Sequence, residues 1–339
     1  MVALDALDLS RFTGVVYGSG FEAQPELLIK IAAKLALLGN SADTVAAVKT
    51  PAVFFAALQQ LNIDYPGVCD SLPEDYANDY LIKFAGGSGG THIRSASSQA
   101  SLLTGNDYYQ QKINGQPVSL LFLANKYDIE VIGFNEQWLD PSTNAPYRYG
   151  GAVSHVKLST CVKQQLIDAA QKLTTEFSLV GLNSLDAIVG DTVNTANASA
   201  HHEQVFVLEI NPRLSATVDL YNSAKHNLFE RHVNACLTNN ICLNNDDLNQ
   251  NETYQLNLKC NAHAIVYATE AIELLAPVLW PDWVIDTPQL SEKMFMISAG
   301  EPVCTVLASA DSADTAKRIA QSRVKSIQNL LQSFHQKNV

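Results

Sequence analysis

Glu209 and Asn211 stand two residues apart in the run Val207-Leu208-Glu209-Ile210-Asn211-Pro212-Arg213, which reads as a strand. Side chains two apart on a strand point the same way, so Glu209 and Asn211 share a solvent or ligand face while Leu208 and Ile210 are expected to face a core. Pro212 ends the strand. Two oxygen donors at its mouth suit a hard cation such as Mg2+, which is held by one or two carboxylates plus substrate phosphates. A preceding strand over 182–189 carries Asp186. If the two strands form a hairpin centred between Asn197 and Ala198, Asp186 lies opposite Glu209, with Cβ atoms about 4.5–5.5 Å apart. Two carboxylates that close repel each other unless a cation sits between them.

The phosphates that would share such a cation have a counterpart upstream. Leu81 to Phe84 reads as a strand containing Lys83, and it runs directly into Gly86-Gly87-Ser88-Gly89-Gly90. A glycine loop of this kind is either a flexible linker or a loop whose backbone amides wrap phosphates. Its flanks are short extended segments rather than polar linkers. A Walker loop would place Lys and Ser/Thr after the last glycine and then start a helix, and this loop does neither. A glycine-rich hairpin over a nucleotide, with Lys83 reaching a phosphate, fits the flanks better than a solvated Lys83. Lys49 lies just ahead of a helix over 51–61.

Other signals carry less. Gly18-x-Gly20-x-x-Ala23 nominally matches the dinucleotide fingerprint, but its acidic partner would have to be Asp43, which sits at what looks like a helix start. A structural turn is the preferred reading there, with a substrate contact by Glu22 as the alternative. His201-His202 resembles a metal pair, yet adjacent residues of an extended chain point to opposite faces, so a solvated loop tip is expected. The irregular stretch from Asn135 to Gly151 holds Trp138, Arg148, Tyr149 and Gly150 and could line a substrate pocket or simply cover solvent-exposed structure.

The elements that position these residues follow from periodicity and breakers. A strand over 13–17 leads through Gly18-Ser19-Gly20 into a helix with Leu27, Leu28, Ile31 and Leu35 on one face, stopped at Gly39-Asn40. Further strands are expected over 118–123 and 127–134, with an Asn114-Gly115 turn ahead of the first. Val162, Leu166, Ala169, Ala170, Leu173 and Phe177 mark a helix over 161–177. The Asn- and Asp-rich stretch 239–251 reads as a linker, followed by strands near 260–268 and 294–307 and a terminal helix from about 312 to 334.

Composition bounds the rest. A chain of 339 residues, 47% hydrophobic and 17% charged, is globular and long enough for two or three domains. The net charge of -12 opposes non-specific binding to nucleic acid or anionic membrane. No apolar run approaches the roughly 20 residues that cross a bilayer. The N-terminus lacks the basic-then-apolar order of a secretory signal, and the six cysteines show no zinc spacing, so reduced thiols in a cytoplasmic protein are expected.

Lys83, the Gly86–Gly90 loop, the Gln110-Gln111-Lys112-Ile113-Asn114-Gly115 hinge, Asp186 and Glu209-x-Asn211-Pro212-Arg213 together resemble the ATP-grasp superfamily over about residues 45–235. The likeness is closest to carboligases related to biotin carboxylase that serve one-carbon cofactor biosynthesis. It implies an α+β or α/β architecture in which two α+β subdomains clamp ATP, with a short or truncated Rossmann-like N-terminal part and a C-terminal α+β segment. The implied divisions are 1–46, 47–113, 114–238 and 239–339. The resemblance assigns Lys49, Lys83 and residues Gly86, Gly87, Ser88, Gly89 and Gly90 to the ATP phosphates. It assigns Gln111, Lys112 and Ile113 to the adenine, Asp186, Glu209 and Asn211 to Mg2+ (or Mn2+), and Arg213 with Lys83 to catalysis. Gln111 departs from the more usual hinge glutamate. The implied activity is ADP-forming ligation of a small carboxylic acid to an amine through an acylphosphate, with a homodimer as a candidate assembly. Biotin-carboxylase-like carboxylation, a non-catalytic nucleotide-binding protein and dinucleotide-dependent oxidoreduction are the alternatives.

Overall fold

The computed structural model describes residues 7–72, 77–98, 103, 105–193, 201–221, 227–241, 259–274, 278–288 and 295–336. Near its start, helix α1 (Pro25–Ala32) begins on proline, whose fixed φ suits a first helical turn. The expected strand over 13–17 is reduced to a single parallel bridge between Val15 and Leu37. The Val15 amide donates to Ala36 at 2.8 Å and the Leu38 amide to Val15 at 2.8 Å, and this pairing turns the chain away after Ala32, so Leu35 does not extend the helical stripe. Helix α2 (Ala42–Lys49) is capped by Ser41, whose hydroxyl accepts from the Thr44 amide at 3.1 Å. Asp43 therefore lies in a helical first turn, and the Gly18–Ala23 fingerprint lacks the strand-end acid that a dinucleotide ribose needs. Helix α3 (Pro51–Gln60) follows directly.

Four short strands come next: β1 (Val68–Cys69), β2 (Tyr80–Phe84), β3 (Arg94–Ser95) and β4 (Asp107–Gln111). They form an antiparallel sheet in the order β1-β4-β2-β3. The β2–β3 pair, with Ile82 opposite Arg94, is the hairpin expected around the glycine loop.

The larger sheet is built from β5 (Gln116–Asn125), β6 (Ile129–Leu139), β7 (Tyr149–Ser154), β8 (Val180–Val193) and β9 (His201–Asn211), with helix α4 (Thr160–Phe177) between β7 and β8. The irregular stretch anticipated from Asn135 is thus shorter, because Asn135 and Gln137 are alternate residues of β6 whose polarity serves the interior of a site rather than a loop. The backbone of His201 and His202 opens β9 rather than forming a loop tip, paired with Val193 and Thr192.

After β9 come helix α5 (Leu228–Thr238), β10 (Cys260–Tyr267), β11 (Ile272–Leu274), β12 (Val284–Ile285), β13 (Phe295–Ile297), β14 (Pro302–Ala310) and helix α6 (Ala313–Gln336). The single strand expected over 294–307 is two, because Gly300 adopts φ +85 and reverses the chain between them. Most of the expected 239–251 linker lies outside the described residues. Strands β10, β14 and β12 extend the large sheet past β7, giving the eight-stranded order β12-β14-β10-β7-β6-β5-β8-β9.

One face of this sheet sends Val118, Leu120, Phe122, Leu185, Val207 and Ile210 into a core shared with Phe54, Leu58, Leu166 and Leu173 of α3 and α4. The opposite face carries Leu121, Leu123 and Leu182 against α5 at one end and polar side chains at the other. A third core joins β10 and β14 to Ala316, Ala320, Ile327 and Leu331 of α6. Trp280 and Trp283 pack on it. Phe122 is fully buried, so Phe122→Ala should destabilise the chain by about 3–5 kcal/mol, measured by denaturant unfolding.

Candidate functional site

The polar face of the large sheet carries Asp186, Glu209 and Asn211, the three candidate metal ligands. Asp186 on β8 is opposite Glu209 on β9, as expected, but the reason differs. From Val193↔His201 to Ala187↔Val207 the hairpin keeps a register in which Asp186 would oppose Leu208. The register shifts between Asp186 and Ala187, making Leu208 an extra residue of β9 and bringing Glu209 into line. Leu208 accordingly lines a cleft instead of facing the core.

Lys49, the last residue of α2, reaches across to this pair. Its Nζ donates to Glu209 Oε2 at 2.8 Å and to Asn211 Oδ1 at 3.3 Å. Asn211 Nδ2 in turn donates to Asp186 Oδ2 at 2.9 Å, and Gln137 Nε2 donates to Asp186 Oδ1 at 3.1 Å. Burial and the neighbouring Glu209 push the Asp186 carboxyl up to about 6. Burial works on Glu209 in the same direction, but Lys49 and Lys83 outweigh it and hold that carboxyl below its ordinary value. Glu209 keeps 32% of its side-chain surface open while Lys49 keeps only 5%.

Arg213 is buried just past β9 and pairs with the buried Glu22. It also donates to the Leu214 carbonyl at 3.0 Å and approaches Asn211 Oδ1 at 3.5 Å. Glu22 is fixed from behind by the Gly20 amide, which donates to it at 2.8 Å.

A cleft enclosing about 340 Å3 of space, open to solvent, lies between the two sheets and is lined by Lys49, Lys83, Gly86, Gly87, His92 and Glu209 among others. Val48, Phe54, Phe55, Tyr108 and Leu208 give it an apolar side. Lys83 is 6% exposed, and its Nζ donates to Gln110 Oε1 at 3.1 Å. Burial lowers the Lys83 ammonium's pKa, against the pull of Glu209. The glycine loop is shaped by its contacts. Gly86, Gly89 and Gly90 all have φ near +70, and a Cβ on Gly90 would stand 1.9 Å from the Tyr147 carbonyl. The imidazole of His92 folds back against Gly87, where a Cβ would lie 2.3 Å from the ring.

The hinge residues lie at the end of β4. Two of their amides are already engaged: Gln111 donates to the Gly67 carbonyl at 2.7 Å and Lys112 to the Asp79 carbonyl at 2.7 Å. Ile113 is half-buried. Of the remaining candidates, Tyr149 borders the site, where burial and the Asp186 charge push its phenol pKa up, while Arg148 and Gly150 serve packing. Arg148 is held by Asp140 at 2.6 Å and lies over the Tyr267 ring at 3.8 Å, so its charge is committed to the fold. The Tyr149 amide donates to Gly89 at 2.9 Å, its hydroxyl bonds His263 at 2.8 Å, and Gly150 is packed against Trp138.

Sequence reasoning named Gln110 only as the first residue of the hinge motif and gave Gln137, His92 and Asn40 no role in the site. Asn40, read as a helix stop, is 1% exposed, donates to Asn183 at 2.8 Å and to the Pro212 carbonyl at 3.0 Å, and accepts from the Val180 amide at 2.9 Å. The signal available for Gln137 was its spacing of two from Asn135 on one strand. For Gln110 it was the spacing of two from Tyr108, which puts both on the cleft side of β4.

Residues 52–217 match the ATP-grasp domain family. No curated protein matches the chain. Among solved structures, the biotin carboxylase domain of Hydrogenobacter thermophilus 2-oxoglutarate carboxylase, determined with MgADP, ADP and bicarbonate, aligns with a TM-score of 0.68 at 10% identity, covering 96% of this chain and 74% of that one. Biotin carboxylase from Campylobacter jejuni, in complex with an ATP analogue, aligns with a TM-score of 0.67 at 12% identity over 93% of this chain and 74% of that one. L-amino acid ligase from Bacillus licheniformis aligns with a TM-score of 0.62 at 13% identity over 93% and 79%. At such identities the likeness speaks to the fold, and the fold is ATP-grasp.

Lys49 is the counter-charge that lets Glu209 ionise beside Asp186. Its contribution is present above the ordinary carboxylate range and disappears as pH falls through the lowered pKa of Glu209. Lys49→Met should therefore lower stability by about 1–3 kcal/mol at neutral pH and by progressively less on acidification, read from denaturant unfolding across pH.

Proposed function

We propose that this chain, built on an ATP-grasp fold, is an ATP-dependent ligase that joins a small carboxylic acid to an amine through an acylphosphate. The observation that carries the reading is that Lys49, Lys83, Gly86, Gly87 and Glu209 line one cleft between two sheets, with Asn211 and Asp186 joined to Lys49 by a chain of hydrogen bonds. On this reading ATP lies between residues 47–113 and 114–238, with 1–46 preceding them and 239–339 following. Strands β10 and β14 of the last part share the large sheet.

The donor set fits a magnesium ion. It offers two carboxylates and one amide, all oxygen donors, and no group of three or more His, Cys, Asp or Glu side chains able to hold a metal occurs among the described residues. That is the short protein ligand set expected for an ion that takes its remaining ligands from phosphates and water. Asp186, Glu209 and Asn211 would hold Mg2+ (or Mn2+), and the ion would neutralise charge on the phosphate oxygens.

In the proposed reaction an oxygen of the substrate carboxylate bonds to the γ-phosphorus of ATP, the bond from that phosphorus to the β–γ bridging oxygen breaks, and ADP leaves. The amine nitrogen then bonds to the acyl carbon, the bond from that carbon to the phosphate oxygen breaks, and inorganic phosphate departs with the proton the nitrogen loses, leaving an amide. The chain's own groups work by position and charge. Lys49, Lys83 and the amides of residues 86–90 hold the phosphates, the hinge 111–113 holds the adenine, and Arg213 meets the transferred phosphoryl group. Glu22 pins the Arg213 guanidinium against rotation.

The acid and amine belong, on the resemblance to carboligases of one-carbon cofactor assembly, to a glutamate-adding step in tetrahydromethanopterin- or methanofuran-type synthesis. The likeness to biotin carboxylase domains favours a second reading, phosphorylation of bicarbonate followed by carboxyl transfer.

ADP release against a panel of carboxylic acids and amines, glutamate and tyramine included, separates the two. Amine-dependent ADP formation supports ligation, whereas dependence on bicarbonate alone overturns it. Glu209→Ala should abolish that release while leaving the far-ultraviolet circular dichroism unchanged, and retained turnover would remove Glu209 from the metal site. Asp186 must lose its proton to ligate a cation, so the affinity for MgADP should rise as pH climbs through about 6, measured by calorimetric titration.

A further inference from the structure

We propose that Gln110 is part of the nucleotide site, where its side-chain carbonyl positions Lys83 and its side-chain amide donates to a phosphate of the bound nucleotide. The inference rests on the reading of this cleft as a nucleotide site and adds a residue to it.

Gln110 is 2% exposed on β4, with its oxygen 3.1 Å from the Lys83 ammonium. An ammonium only donates, so the atom facing it is the oxygen, and the orientation of the amide group is fixed by chemistry. Its nitrogen then stands on the far side of the same planar group. Amide geometry keeps that nitrogen within ~5.5 Å of the lysine charge. It is buried and has no hydrogen-bond partner.

A buried amide nitrogen with both hydrogens unsatisfied is destabilising, and such groups in folded proteins call for a reason. The environment supplies one. His92 Nδ1 is also buried without a partner, and the His92 ring lines the same cleft as Lys83. An amide donor left without an acceptor beside a buried ammonium is the complement of an anion with several oxygens, and a polyphosphate is such an anion. Satisfying the Gln110 amide from within the protein would need an acceptor close to Lys83, and that acceptor would compete with the phosphate for the lysine.

Two substitutions distinguish this role from simple support of Lys83. Gln110→Glu keeps an acceptor for the ammonium but removes the donor and adds negative charge. Gln110→Met keeps the volume and removes both functions. The affinity of the full chain for MgADP, measured by calorimetric titration, should fall about tenfold or more in both variants, with Gln110→Glu at least as impaired as Gln110→Met. Thermal unfolding of each variant verifies that it is folded. If Gln110 only holds Lys83, Gln110→Glu binds MgADP as tightly as the unsubstituted chain, and that result overturns the proposal. The unsubstituted chain, titrated alongside, tests the nucleotide reading itself, so failure of that reading shows in its own curve and failure of this one only in the variants.

Discussion

Asp186 and Glu209 are held on opposed strands, where two ionised carboxylates repel with an energy that only nearby positive charge can offset. The bulge at Leu208 creates this juxtaposition, since a regular ladder would have set a leucine against the aspartate. The fold answers the repulsion from outside the sheet. Helix α2 ends on Lys49, and its ammonium reaches Glu209 and the oxygen of Asn211, whose nitrogen turns to Asp186. The asymmetry in carboxyl acidity follows from which carboxylate the lysine touches. Glu209 is ionised readily, while Asp186 faces only neutral amide donors and keeps its proton longer.

This arrangement makes the first fifty residues a brace for the site. Asn40 bonds three backbone or side-chain groups of the β8 and β9 ends, and the Tyr17 hydroxyl donates to the carbonyls of Asn40 and Pro212. Glu22 fixes Arg213. These contacts land on Pro212 and Arg213 just past Glu209 and on Val180 and Asn183 of the strand that carries Asp186, so this segment and the carboxylate pair are tied together. The parallel Val15–Leu37 bridge and the packing of Leu38 on Gly14 hold the brace together where no extended strand forms.

What the sequence disclosed follows from the range of the interactions involved. Amphipathic helices α4 and α6, the capped start of α2 and the glycine hairpin depend on neighbours in the chain, and their residues announce them. Glu209 and Asn211 were legible because a two-residue spacing on a strand is local as well. The Leu208 bulge was not, because nothing in Val-Leu-Glu-Ile says which residue will go unpaired. Arg148 attracted attention as a cation in an aromatic loop, yet its partners Asp140, Tyr267 and the Gly300 carbonyl are set by tertiary packing. Gln110 and Gln137 were passed over because an amide in a strand carries no signature until its partners are known.

The charges of the cleft explain what it is suited to receive. Lys49 and Lys83 stand against Glu209 in the cleft and Asp186 behind it, while the buried Arg213–Glu22 pair lies beside them past the end of β9. A site balanced in this way offers a free polyphosphate little net attraction, because the carboxylates repel it, and offers a free cation little, because the lysines do. A cation and a polyphosphate arriving together meet both halves at once. On the proposed reading Asp186, Glu209 and Asn211 would hold the ion, and its charge would offset the carboxylates that Lys49 now faces. Lys49 and the desolvated Lys83 would be left to face the phosphates. The unpartnered Gln110 amide nitrogen lies on the Lys83 side of the site, whereas Asp186 is paired with the amides of Asn211 and Gln137. Phosphate oxygens would, on the same proposed reading, supply the acceptor that the Gln110 amide nitrogen lacks.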